Sequence, residues 1–173
     1  MKKLVYFDTS ALVKEFAPSE LGYELIDKIT TSARQDSSKL QIISSVWAIN
    51  EAVAVLDRKF RKGEITEVEM QTVMATLFQR IKDSSENTSF RFAPIDHSMI
   101  ANSRSLIAAY HISADDALHI YTGWIYDCDY LLFHDSKIMR IKPLISTASG
   151  GNVNLTDLGD AADRKRLEAQ LSL

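Results

Sequence analysis

Short runs rich in apolar residues punctuate the chain: LVYF (4–7), LQII (40–43), FRFAPI (90–95) and YLLF (130–133), with a weaker fifth, NVNL (152–155). Runs of this length, bounded by polar or turn-forming residues, read as buried strands. Between them the apolar positions recur at helical spacing over longer stretches, so β and α segments alternate. That alternation predicts an α/β fold in which a mainly parallel central sheet is flanked by helices. Polar clusters at 32–39, 83–89 and 146–152 read as loops.

The longest helical pattern, 44–83, breaks at Gly63. Its first half, SSVWAINEAVAVLDRKFRK, is apolar on most sides and is expected to be largely buried. Its second half opens with a capping box, Thr66-x-x-Glu69, in which each residue satisfies the other's backbone N–H. Met70, Val73, Met74, Leu77 and Ile81 then follow at helical spacing as a core-facing stripe. Two helices joined at a glycine predict a helical hairpin standing off the sheet. The final DLGDAADRKRLEAQLSL predicts a last amphipathic helix of mixed charge.

Composition narrows the class. A chain of 173 residues suits one domain with a sizeable core, and 46% hydrophobic with 25% charged content is that of a globular protein. A net charge of −3 supplies no bulk attraction to nucleic acid or anionic membrane, so an RNA partner requires a local basic patch or a bound metal. Cys128 is the only cysteine, which excludes an intrachain disulfide and a thiolate cluster and suits a reducing cytoplasm. The apolar run of MKKLVYFDTS stops at Asp8, too soon for a signal segment or a membrane span. The expectation is therefore a cytoplasmic protein without membrane association.

Several acids sit where packing alone does not call for them. Asp8 and Asp135 each follow a predicted strand, and each precedes a helix start, with Thr9 or Ser10 as the cap in the first case. Carboxyl ends of strands are where open α/β sheets place ligand crevices. Glu51 has Trp47, Ala48, Ala54 and Val55 as its helical neighbours, so it needs a distant cation, a metal or an exit to water. In ISADDALHI (112–120) two acids compete. On a helical wheel Ala117, Leu118, Ile120, Tyr121, Trp124 and Ile125 form the apolar face. Asp115 falls nearly opposite, beside His119, Thr122 and Tyr126, as a solvated first-turn acid; Asp116 borders the interior, three residues after the natural cap Ser113. Asp116 is thus the stronger site candidate.

Four carboxylates brought together from four elements would repel, and a hard divalent cation relieves that repulsion. Oxygen-only ligands favour Mg²⁺ or Mn²⁺, ions suited to metal-assisted attack of water on a phosphodiester. No HxxxH or cysteine pair argues for zinc.

The segments VYFDTSALVK, SSVWAINEA, ADDALHIYTG, LLFHDSKI and NVNL, in that order over roughly residues 3–155, resemble the PIN-domain ribonucleases. Within that family the likeness is to the VapC-type toxins of toxin–antitoxin pairs. The resemblance implies a PIN-like three-layer α/β fold and Mg²⁺- or Mn²⁺-dependent endoribonuclease activity leaving 5′-phosphate and 3′-hydroxyl ends. It implies a nuclease domain over 1–155, with 156–173 as a charged helical tail of the same domain. By position the family's four acids fall on Asp8, Glu51, Asp116 and Asp135, and its hydroxyl beside the metal on Ser10. It also implies a homodimer and a cognate antitoxin protein. The chain departs from the pattern at Phe133, where many relatives carry Thr or Ser two residues before the fourth acid; His134 follows it.

The run DRKFRK places Arg58, Lys59, Arg61 and Lys62 at a helix end. There they either complement the helix dipole or form a track for RNA phosphates, with Lys14, Lys137, Arg140 and Lys142 as further cations near the acids. Two other functions compete. An aspartyl-phosphate phosphatase would use Asp8 as nucleophile, but that chemistry usually wants a second Asp where this chain has Ser10. A catalytically weak or inactive PIN-like module would bind RNA or a protein partner without cutting.

Overall fold

A computed structural model of the chain describes residues 2–84, 89–148 and 153–173. Five strands, β1 (Lys3–Phe7), β2 (Leu40–Ser45), β3 (Phe90–Ala93), β4 (Tyr130–Phe133) and β5 (Asn154–Asp157), form one sheet in the order β3-β2-β1-β4-β5. Every pairing is parallel. The helices are α1 (Thr9–Lys14), α2 (Tyr23–Gln35), α3 (Val46–Arg61), α4 (Glu67–Ser84), α5 (His97–Tyr110), α6 (Ala114–Ile125), α7 (Ser136–Ala148) and α8 (Ala161–Leu171).

Consecutive apolar residues in the central strands bury both sheet faces, as a parallel sheet covered by helices requires. Val5, Phe7, Ile42 and Leu132 pack with α1, α2, α3, α4 and α8. Their alternating neighbours Tyr6, Ile43, Leu131 and Phe133 pack with α5, α6 and α7. The result is the expected three-layer α/β arrangement, consistent with a PIN-like fold. On one side α6 lies so close to β4 that a Cβ on Gly123 would come within 2.7 Å of Leu131 Cγ, so only glycine fits there without a shift.

The chain winds outward from β1 through β2 to β3, then crosses to β4 on the other side of β1 and on to β5. The strand order therefore reverses between β1 and β4. Phe7 is in register with Leu132, so these two strands end level, and a crevice opens beyond their carboxyl ends.

The helical hairpin is α3 and α4, joined at Gly63, whose φ of 70° is the left-handed conformation that ends a helix. The predicted capping box forms: Thr66 N–H donates to Glu69 Oε2 at 2.7 Å, and Glu69 N–H to Thr66 Oγ1 at 3.2 Å. Leu77 is buried at the base of the hairpin, with Met70, Val73, Met74 and Ile81 half-buried, while Val68 near the tip is 72% exposed. The expectation that α3 is largely buried is not met. Only Ala48, Ala52 and Leu56 are fully enclosed, because the opposite face of the helix borders the open crevice rather than a second layer.

Some predicted loops are shorter than expected. Helix α2 continues through Gln35, α4 reaches Ser84 and α7 reaches Ala148; residues 85–88 and 149–152 lie outside the described residues, so Asn152 of the fifth predicted strand does too. β5 runs on to Asp157, past the expected boundary at 155, and α8 then docks Leu167 into the same core as α1 and α2. Among the described residues no helix is long and apolar enough to cross a membrane.

Candidate active site

The crevice is a cleft of about 480 Å³ whose walls include Asp8, Glu51, Asp116 and Asp135, one from each of four separate segments. Asp8 directly follows β1 and caps α1 itself, in place of Thr9 or Ser10. Its Oδ1 accepts the Ala11 N–H and the Ser10 hydroxyl, each at 2.7 Å. Two residues beyond β4, Asp135 accepts the Lys137 N–H at 2.6 Å at the start of α7. Asp116 sits in the first turn of α6, where Ser113 caps the helix: the Ser113 hydroxyl donates to Asp116 Oδ2 at 2.6 Å and accepts the Asp116 N–H at 3.1 Å. Glu51 projects from the middle of α3.

The partner that Glu51 needs is His119. Its Nε2 lies 2.6 Å from Glu51 Oε2, and the Thr9 hydroxyl donates to the same oxygen. The wheel expectation for α6 holds for Ala117, Leu118 and Ile120, which are buried, and for Asp115, which is exposed, but fails at three positions. His119 and Thr122 are buried, whereas Ile125 is 45% exposed. The interior stripe of α6 runs through His119, Ile120 and Gly123, because the polar groups on it find partners inside: His119 with Tyr6 and Glu51, and Thr122 with the Leu118 carbonyl at 2.7 Å. A signal for this was present in the spacing, since His119 stands one turn after Asp116 and so shares its face. Asp115 accepts the Trp47 indole N–H at 3.1 Å on the exposed rim, a clasp between α3 and α6.

Electrostatics divides the acids. Burial pushes the Asp8 carboxyl up to about 6; His119 and the bonds from Ala11 and Ser10 oppose this, and the nearby Glu51 adds to it. Burial also raises Asp116, opposed by the Ser113 hydroxyl and reinforced by Asp135. For Glu51 burial acts in the same direction, but the hydrogen bonds from His119 and Thr9 outweigh it and hold the carboxyl below its usual range.

The cations group less simply. Arg58 and Lys59 line the cleft with Lys14, but Arg61 and Lys62 do not. Arg61 instead pairs with Asp57 at 2.8 Å, and Lys62 faces Glu64 at 3.8 Å. Glu20 ties the buried Lys14, at 2.9 Å, to Lys59, at 2.6 Å. Arg58 is exposed and has no carboxylate partner among the described residues. Lys142 pairs with Asp163, away from the acids, and Lys137 and Arg140 are exposed but do not line the cleft. His134 does line it, with Ser10 and Thr9. Phe133 is 1% exposed and packs in the core beside Leu131, so that position offers no hydroxyl to the cleft.

The donor chemistry fits a hard divalent cation. The hydrogen bonds above use Asp8 Oδ1, Glu51 Oε2, Asp116 Oδ2 and Asp135 Oδ1, leaving the second oxygen of each carboxyl outside them. Two of these acids carry an acidity weakened by burial and by a neighbouring carboxyl, which is the demand that positive charge meets. As they stand, no three His, Cys, Asp or Glu side chains among the described residues are drawn in tightly enough to close on one ion. No known family model matches the chain, and no curated protein does.

Proposed function

We propose that this protein is a Mg²⁺- or Mn²⁺-dependent endoribonuclease of the PIN type, the toxin half of a toxin–antitoxin pair. One observation carries the reading: four acids far apart in sequence line one cleft at the point where the strand order reverses. A bound Mg²⁺ or Mn²⁺ supplies counter-charge to phosphate oxygens and acidifies a water for attack on phosphorus. Asp8, Glu51, Asp116 and Asp135 would hold the ion, and Ser10, which donates to Asp8 Oδ1, keeps Asp8 oriented. Glu51, ionised and pinned by His119, is the acid best placed to accept the water's proton. Water adds to phosphorus, the bond to the 3′ oxygen breaks, that oxygen takes a proton from solvent, and the products carry 5′-phosphate and 3′-hydroxyl ends. Arg58 and Lys59 meet backbone phosphates at the mouth of the cleft.

The cellular setting belongs to the same proposal: a cytoplasmic homodimer neutralised by a cognate antitoxin. Support for a protein partner comes from a groove of about 360 Å³ beside the hairpin, in which Phe16, Ile65 and Val68 are rimmed by Glu20, Lys59, Glu64 and Glu69.

A second reading, a catalytically weak or inactive module that binds RNA or protein, is favoured by the open spacing of the acids. Incubating antitoxin-free protein with a mixed RNA pool, in Mn²⁺ and in EDTA, separates the two. Cuts that appear only with Mn²⁺ and carry 5′-phosphate ends support the nuclease; RNA retained intact in both supports the binding module.

A further inference from the structure

Behind Glu51 lies a buried polar chain that holding a metal does not by itself require. Tyr6 is fully enclosed in β1, yet its hydroxyl is 2.8 Å from His119 Nδ1. His119 is 4% exposed and sets Nε2 2.6 Å from Glu51 Oε2 and 3.2 Å from Thr9 Oγ1. The Thr9 hydroxyl donates to the same Oε2. An ionised carboxylate only accepts, so both groups facing Oε2 act as donors. Nε2 therefore carries a hydrogen. A neutral ring with its hydrogen on Nε2 leaves Nδ1 bare, so the Tyr6 O–H, 2.8 Å away, donates to it. Every hydrogen in the set then points from the sheet interior towards Glu51.

We propose that His119 is a positioning residue: fixed as the Nε2–H tautomer by the Tyr6 hydroxyl, it pins Glu51 Oε2 and thereby presents Oε1 to the cleft. A free glutamate samples many rotamers and loses that freedom on binding an ion; one held in advance loses less. Partners of this outer kind set ligand orientation and affinity at metal centres. That Oε1 meets a divalent cation rests on the reading above, whereas the tautomer does not.

Two measurements on the full chain test this. The first is long-range ¹H–¹⁵N correlation of the imidazole rings above their ordinary titration range, with the His119 signal identified by its loss in His119→Gln. Wild type is expected to show a single Nε2–H tautomer, with the bias weakened in Tyr6→Phe; an Nδ1–H ring in wild type overturns the proposal. The second is Mn²⁺ titration. His119→Ala is expected to weaken binding about 10- to 100-fold, and His119→Gln, whose amide N–H₂ reaches in place of Nε2, to recover most of it. Unchanged affinity in His119→Ala, or a Gln variant no better than Ala, overturns the positioning role. Wild type that binds no Mn²⁺ refutes the metal reading, and the tautomer then decides the relay alone. Wild type that binds Mn²⁺ with the expected variant pattern but cuts no RNA refutes the nuclease reading and leaves His119 in place.

Discussion

Glu51 and Asp8 face the same cleft, yet their surroundings move their acidity in opposite directions. Glu51 is half-buried and receives the Thr9 hydroxyl and the His119 imidazole, so it stays ionised. Asp8 receives the Ser10 hydroxyl and the Ala11 N–H, but burial prevails and its carboxyl titrates near 6. Asp116, beside Asp135, is shifted the same way as Asp8. Donors are thus already supplied on the α3 side, while the side built from β1, α6 and β4 has carboxyls without matching positive charge. That contrast locates where a cation gains most.

The largest effect expected from this contrast lies at Asp8. Its folded-state value is raised from 3.8 to about 6, so the native state binds more protons than the unfolded chain between those limits. Stability associated with this group is present below about 3.8 and is lost as pH rises through about 6. Asp8→Asn keeps the helix cap, since Asn serves there as well as Asp, and removes the charge. Metal-free Asp8→Asn is expected to be more stable than wild type by up to about 3 kcal/mol above pH 6, with the gain vanishing towards pH 4. Urea unfolding across that range measures it. A variant no more stable than wild type at neutral pH would show that Asp8 is not strained by its burial.

Removing a donor from the other side has the opposite sign. Thr9→Val leaves Glu51 with one hydrogen bond fewer and is expected to cost about 2 kcal/mol, as for a hydrogen bond to a charged group. A double-mutant cycle of Asp8→Asn with Glu51→Gln tests whether the two walls act on one another: the nearby Glu51 raises the electrostatic cost of Asp8, so coupling is expected, and a value near zero would contradict that. Ser113→Ala, which removes the cap of α6 beside Asp116, is expected to cost about 1 kcal/mol by thermal unfolding. The smallest change is at the exposed clasp. Trp47→Phe loses the indole donor to Asp115 and is expected to cost about 0.5 kcal/mol by thermal unfolding.

How legible these features were in the sequence depends on the distance over which each interaction is decided. Strand positions, the Thr66–Glu69 box and the Ser113–Asp116 pair follow from residues within a few positions of each other, and all of them form. The cleft itself was foreshadowed by acids following two strands, because parallel strands share one carboxyl edge wherever they pair. His119 was not legible as a partner of Glu51. The two lie on helices separated by α4, β3 and α5 in sequence, and which face of α6 turns inward is set by its close approach to Leu131 at Gly123. A wheel that counts only apolar residues places His119 outside, since it does not register a polar group whose partners wait in the interior. The Lys14–Glu20–Lys59 link escaped for the same reason: it joins α1, a turn and α3.

The proposed nuclease cuts RNA through the acids of this cleft. The most direct test is cleavage of one defined single-stranded RNA by wild type and by Asp8→Asn, purified identically and assayed with Mn²⁺. We predict cutting by wild type and none by the variant, although the metal-free variant is expected to be the more stable protein. Equal cutting by both would contradict the account.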